Sequence, residues 1–105
     1  MRTRGFDIQK LEVYCLDPTH PRGRHKARVF RGALGITLRD ASWLRRVILD
    51  GIPHSEAVEI ENDSFGSRWR VDLAVARQER EAVVRTVWIV RIGEEVPRFV
   101  TCWVL

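Results

Sequence analysis

Cysteine is scarce in this chain, with Cys15 and Cys102 the only two in 105 residues, and their separation matches no Cys-x-x-Cys or mixed Cys/His zinc spacing. Each is expected as a free buried thiol, Cys15 one helical turn past Leu11 on an apolar stripe and Cys102 inside the last strand. A Gly-rich phosphate loop of either standard spacing is missing, because Gly32 and Gly35 are too sparse a pair, and no His-Glu-x-x-His occurs. Phosphate-loop nucleotide hydrolysis and zinc chemistry therefore lack support, and neither a cofactor nor a metal is expected. No window approaches the roughly 18 apolar residues of a membrane span, and the start, Met1-Arg-Thr-Arg-Gly-Phe-Asp7, has no apolar signal segment. These absences point to a soluble cytoplasmic protein that engages no membrane. Repeats, linkers and low-complexity stretches are also absent, so residues 1–105 are expected to form a single domain.

What is present is enough apolar material for a core and an excess of fixed positive charge. The hydrophobic fraction is 45%, with four Trp and four Phe, so disorder is not expected despite 30% charged residues. Eighteen Lys and Arg against 14 Asp and Glu leave a net charge of +4. Sixteen of the cations are Arg, which suits bidentate phosphate contacts but is equally what a GC-rich coding bias produces. The charge is locally concentrated: between Pro21 and Gly35 stand Arg22, Arg24, His25, Lys26, Arg28 and Arg31. A cluster of donors that mostly cannot lose their charge suits a polyanion, RNA phosphate in particular.

The apolar periodicity predicts helices first and strands after. Asp7 reads as the N-cap of a short helix carrying Ile8, Leu11 and Cys15, which stops before Asp17-Pro18. A second helix from about Arg24 to Leu34 buries Ala27, Phe30, Ala33 and Leu34 and ends at Gly35. Asp40 caps a third, through about Asp50, that turns Trp43, Leu44, Val47 and Ile48 inward. The period then becomes two. Val58 and Ile60 alternate with Glu59 and Glu61; Trp69, Val71, Leu73 and Val75 form one face of a second strand; residues 82–92 make a nearly continuous apolar strand; and a last strand runs from about Arg98 to Val104. The expected architecture is α+β, with two to three N-terminal helices packed on one face of a four-stranded, mainly antiparallel sheet. Trp69 and Trp88 are both expected beneath the helices.

Candidate chemistry follows from placement. His20 and His25 flank the basic turn, and a histidine can move a proton in metal-free RNA cleavage while fixed cations stabilise the phosphate. Each also has a plain role available, His20 as a loop cap and His25 as a solvated helix residue, and His54 is expected to be structural or exposed. Arg68, Arg70 and Arg85 fall on strand faces that could form a cationic row, with Asp72 and neighbouring carboxylates as alternative partners. Thr101 and Trp103 fall on one face of the last strand with Phe99, where core packing is the default.

The order Leu11-x-x-Tyr14, His20-Pro-x-Gly23-x-x-Lys26-Ala27-x-x-Phe30, Leu34-Gly35, Trp69-x-Val71, Val84-x-Thr-Val-Trp88 and Pro97-Arg98-x-Val-Thr101 resembles a family of small bacterial domains of unknown function. That family occurs alone and at the C-termini of polymorphic toxins, and its layout is similar to the barnase, EndoU, colicin and RelE group of metal-independent ribonucleases. The resemblance implies a site beside the second helix with His20, Lys26, Arg98 and Thr101 in catalytic roles. It departs where an aromatic followed by proline would come after Thr101; here Cys102, Trp103 and Val104 follow. Two functions stay open: a metal-independent ribonuclease or toxin-like effector, and a noncatalytic module that binds RNA or a protein. On either, Arg22, Arg24, His25, Arg28, Arg31, Arg68, Arg70 and Arg85 are the expected nucleic-acid contacts. A neutralising or acidic protein partner and a homodimer formed through a strand edge are further partners to test.

Overall fold

A computed structural model describes residues 5–105; residues 1–4, read above only for the lack of a signal segment, lie outside the described residues. A π-helical turn, Leu11–Cys15, is followed by α1, Arg24–Leu34, and α2, Ala41–Gly51. The strands β1, Ala57–Asp63, β2, Gly66–Arg77, β3, Arg80–Arg91, and β4, Arg98–Val104, then form one antiparallel meander in the order β1-β2-β3-β4. The protein is thus an α+β domain with a four-stranded sheet and two substantial helices.

One apolar cluster joins the layers. Phe30 and Leu34 of α1 and Leu44 and Ile48 of α2 pack with Val71, Leu73 and Val75 of β2, Val84 and Trp88 of β3, and Phe99 and Cys102 of β4. Phe6 stacks on Phe99 with ring centroids 4.0 Å apart and meets Trp88 edge-on at 5.7 Å. Its neighbour Gly5 accepts the Phe99 N–H at 2.9 Å, which seats the N-terminal segment on the free edge of β4. Thr86 is the one buried polar residue among those described; its hydroxyl donates to the Val71 carbonyl at 2.7 Å and accepts the Trp88 indole N–H at 2.8 Å. A buried indole donor is thereby satisfied rather than left to cost its desolvation.

The helix α1 has the predicted bounds, and Gly35 closes it in the left-handed region at φ 67°, where its N–H returns to the Arg31 carbonyl. Several local expectations are corrected. The first helix starts after Asp7, whose carboxylate accepts the Gln9 N–H, but is π-wound rather than α over Leu11–Cys15, where the Leu16 N–H bonds the Leu11 carbonyl at 2.9 Å, and Leu11, Cys15 and Leu16 are all buried. Asp40 occupies the N-cap position of α2 but its side chain does not cap that helix: a short 3-10 turn, Leu38–Asp40, precedes α2, and the Asp40 carboxylate turns back to accept the Thr37 N–H at 2.9 Å in a capping box for that turn. Ile60 does not share a face with Val58, because a bulge between Glu59 and Glu61 makes it the unpaired residue of β1, and it is exposed. Trp88 is fully buried, but Trp69 is only half-buried and satisfies its indole N–H on Ser67 at 3.0 Å. The apolar strand β3 lies between β2 and β4, so only β4 could offer a pairing edge at that side.

Candidate functional site

A second bulge builds the site. Val87 pairs with Thr101 but Trp88 pairs with Phe99, so Val100 is the extra residue of β4. Strict alternation would put Phe99, Thr101 and Trp103 on one face, as the sequence suggests. The bulge instead sends Phe99 and Cys102 into the core and releases Thr101 and Trp103 to meet α1, which corrects the expectation of core packing for this pair.

Lys26 of α1 is the residue they meet. Its ammonium donates to Thr101 Oγ1 at 3.0 Å and to the Tyr14 hydroxyl at 3.5 Å, and it lies over the Tyr14 ring at 4.8 Å and the Trp103 ring at 5.2 Å. Among the described residues no carboxylate forms an ion pair with it. Cys15 lies on the far side of Thr101, its Sγ 3.5 Å from Thr101 Oγ1. The Cys102 thiol beside it, with Thr101 and Lys26 assisting, holds Cys15 below the usual thiol range against the opposing effect of burial. Cys102 itself is pushed up by its full burial and by Cys15.

Tyr14, His20 and Thr101 line an open cleft of about 540 Å³, together with Lys10 and Asp7, whose carboxylate is occupied by the Gln9 N–H at 2.9 Å. His20 meets the Tyr14 ring edge-on at 4.9 Å. Its Nδ1 accepts the backbone N–H groups of Arg22 and Gly23, both at 3.0 Å, so the neutral ring carries its hydrogen on Nε2 and offers a donor rather than a free base. His20 therefore also performs the loop-capping role that the sequence allowed.

Arg98 does not join this group. It sits in an adjoining cleft of about 590 Å³ that shares Asp7, Lys10 and Val100 with the first, and both its Nε and Nη2 are held by Glu94 at 3.0 and 2.9 Å. The structure brings together His20, Lys26 and Thr101 and sets Arg98 one cleft away. Arg68 is paired with Asp63 at 2.7 Å, while Arg70 and Arg85 converge on Asp72 at 3.1 and 2.9 Å. The Arg85 guanidinium holds the Asp72 carboxyl below its usual range. The expected cationic row on the strands is thus a set of ion pairs. Arg22, Arg24, His25, Arg28 and Arg31 are exposed and have no ion pair among the described residues. The 3.6-residue period sets Lys26 roughly half a turn round α1 from Arg24, Arg28 and Arg31, so the basic segment is split between two flanks. Sequence reasoning had Tyr14 only as a motif position and Trp103 as core packing, so their contacts with Lys26 were missed.

The class that these features define is a small α+β domain in which a lysine without an ion pair among the described residues is anchored at a bulged edge strand. Within that class the chain belongs to the family DUF6883, a domain of unknown function, which it matches over residues 4–105. Neither a curated protein nor a solved structure matches it.

Proposed function

We propose that this protein holds RNA by its phosphates, with the Lys26–Thr101–Tyr14 group as the principal phosphate seat. The observation that carries the reading is a half-buried ammonium supported by two hydroxyls and two aromatic rings, with no carboxylate to neutralise it. Because Lys26 donates to both oxygens, the Tyr14 O–H hydrogen is left to point at an anion, and the Thr101 hydroxyl is polarised in the same sense. Lys10 and the Nε2–H of His20 add donors in the cleft that Tyr14 and Thr101 line, and the chain would continue past Val100 towards Arg98. Rings beside the seat give single-stranded bases faces on which to stack.

The test is a salt titration of binding to a fluorescent single-stranded RNA. Affinity falls steeply with salt, and Lys26→Met lowers the log-log slope by about 0.7, because one phosphate is no longer neutralised. Binding that ignores salt, or an unchanged slope in the variant, overturns the reading.

A second reading, metal-independent cleavage of that RNA, draws on the contact of Lys26 with the Tyr14 hydroxyl at 3.5 Å, which sets an ammonium donor and a hydroxyl donor side by side. Water in the cleft would take the 2′-hydroxyl proton as O2′ bonds to phosphorus, the Tyr14 O–H would donate to a non-bridging phosphate oxygen, and the bond to O5′ would break as that oxygen takes a proton from Lys26. Incubation with EDTA then yields a 2′,3′-cyclic phosphate from RNA and nothing from DNA, and Tyr14→Phe lowers the rate by about 100-fold. Intact RNA after long incubation limits the function to binding.

A further inference from the structure

We infer that the flank of α1 turned away from Lys26 is a docking groove for an acidic amphipathic helix of a partner protein. A cleft of about 650 Å³ opens between α1 and the segment that leads into α2. Its rim carries Arg24, Arg28, Arg31 and Arg39, all exposed, and no carboxylate lines it. None of the four forms an ion pair among the described residues, in contrast to Arg68, Arg70, Arg77, Arg85 and Arg98, each of which does. The cationic rim is therefore unneutralised among the described residues, whereas five arginines elsewhere are paired.

The apolar residues decide the occupant. Leu16, Ala27 and Ile36 form the floor, nearly fully buried, and Leu38 stands at its mouth 43% exposed. Arg24, Arg28 and Arg31 follow the i, i+4, i+7 ladder of one helix face, about 10 Å from first to last at roughly 1.5 Å per residue. A partner helix with carboxylates at the same spacing meets this ladder pair by pair, and a leucine on its adjoining face packs against the exposed Leu38 and Pro18. RNA phosphates would satisfy the arginines alone. The cleft contains no aromatic ring on which a base could stack, and a sugar-phosphate chain leaves the exposed Leu38 and Pro18 side chains at its mouth without a partner. The charge is complementary to either polyanion, but the exposed apolar residues favour the peptide.

The proposal does not depend on the Lys26 cleft, and its test separates the two. The probe is a fluorescent alanine-based helix with Glu at i, i+4 and i+7 and Leu on the adjoining face, measured by anisotropy against the full chain. A scrambled peptide of equal charge should bind at least about tenfold more weakly, a difference of about 1.4 kcal/mol. Leu38→Asp and Arg28→Glu, both at exposed positions, should each lower affinity for the designed helix by a similar factor, whereas Lys26→Met should leave it unchanged. Backbone amide shifts on titration should cluster at Ile36, Leu38 and the outer flank of α1. Equal binding of the scrambled peptide, no binding at all, insensitivity to Leu38→Asp, or competitive displacement of the helix by single-stranded RNA would each overturn the docking groove. The last of these outcomes would assign the arginine ladder to RNA instead.

Discussion

Two glycines of the same helical segment should respond to alanine in opposite directions. Gly23 precedes α1 with an ordinary backbone, φ −88° and ψ −16°, so alanine meets no conformational objection there. The objection is spatial: an added Cβ would lie 1.9 Å from the Tyr14 carbonyl oxygen and 2.7 Å from its carbon. Carbon atoms in contact prefer about 3.5 to 4.0 Å, and the obstacle is backbone, so the π turn and the start of α1 must separate by roughly 1 Å or more. Overpacking of this kind costs about 1 to 3 kcal/mol, sometimes more. For a domain of this size that is roughly 5 to 20 °C of melting temperature. Gly32, inside α1 and exposed, has nothing within 4 Å of its virtual Cβ. There alanine should stabilise by about 0.5 to 1 kcal/mol through helix propensity and a less free unfolded chain. Thermal and urea melts of the two variants read the signs directly. The same displacement carries Tyr14 away from Lys26, so folded Gly23→Ala should also lose RNA affinity while Gly32→Ala keeps it. A Gly23→Ala protein within about 0.5 kcal/mol of the parent would refute the close seating of α1 on Tyr14.

Lys26→Met keeps the aliphatic stem but removes the charge, and it should cost only about 1 kcal/mol of stability in urea melts, from one hydrogen bond and weak cation–π contacts, while RNA affinity falls about tenfold or more. A drop in binding no larger than the fraction unfolded would make Lys26 structural instead. Thr86→Val keeps the shape but orphans the buried Trp88 indole donor, so chemical denaturation should show a loss of about 1 to 3 kcal/mol; a neutral result would mean that water or another acceptor reaches Trp88. Asp40 is lowered to about 2, first by the Arg77 hydrogen bond and then by the Thr37 N–H. Because its folded pKa lies below the unfolded value of 3.8, the stability it lends is present above about pH 4 and is lost as pH falls towards 2. Asp40→Asn should therefore be destabilised at pH 7, by about 1 kcal/mol for a partly exposed pair, and should match the parent near pH 2; an equal deficit at both pH values would trace the effect to geometry rather than charge.

Much of the fold was legible because it rests on local signals. The bounds of α1 follow from its apolar spacing and from the glycine that must adopt φ 67° to end it, and β4 follows from a run of β-formers after a turn. The grouping of His20 and Lys26 with the last strand was implied by the family resemblance, not by spacing or periodicity. The errors fall where a remote partner sets the local geometry. Asp40 looked like a cap because Asp is a good cap, but Arg77, 37 residues away, offered its carboxylate a second partner at 2.9 Å. Arg68, Arg70 and Arg85 looked like a cationic face because alternation gives the face of a residue but not its neighbour; Asp63 and Asp72 occupy that neighbour position.

The bulge at Val100 is the sharpest case, because it moves the site rather than an element boundary. A period of two assigns Phe99, Thr101 and Trp103 to one surface, and a single unpaired residue reverses that parity for everything after it. Nothing in Phe-Val-Thr-Cys-Trp announces the reversal. It becomes necessary only in three dimensions: Phe99 is required inside to complete the stack with Phe6 and Trp88, Cys102 is required inside opposite Thr86, and those two residues are three apart, a spacing that a regular strand cannot place on one face. The extra residue reconciles the two demands. Its by-product is a hydroxyl and an indole turned towards Lys26, which gives the lysine polar and aromatic support without a carboxylate. Deleting Val100 should therefore restore parity at the expense of either Phe99 or Cys102, and the shortened protein should show lower stability in urea melts together with weaker RNA binding; a stable variant that still binds RNA like the parent would refute this role for the bulge.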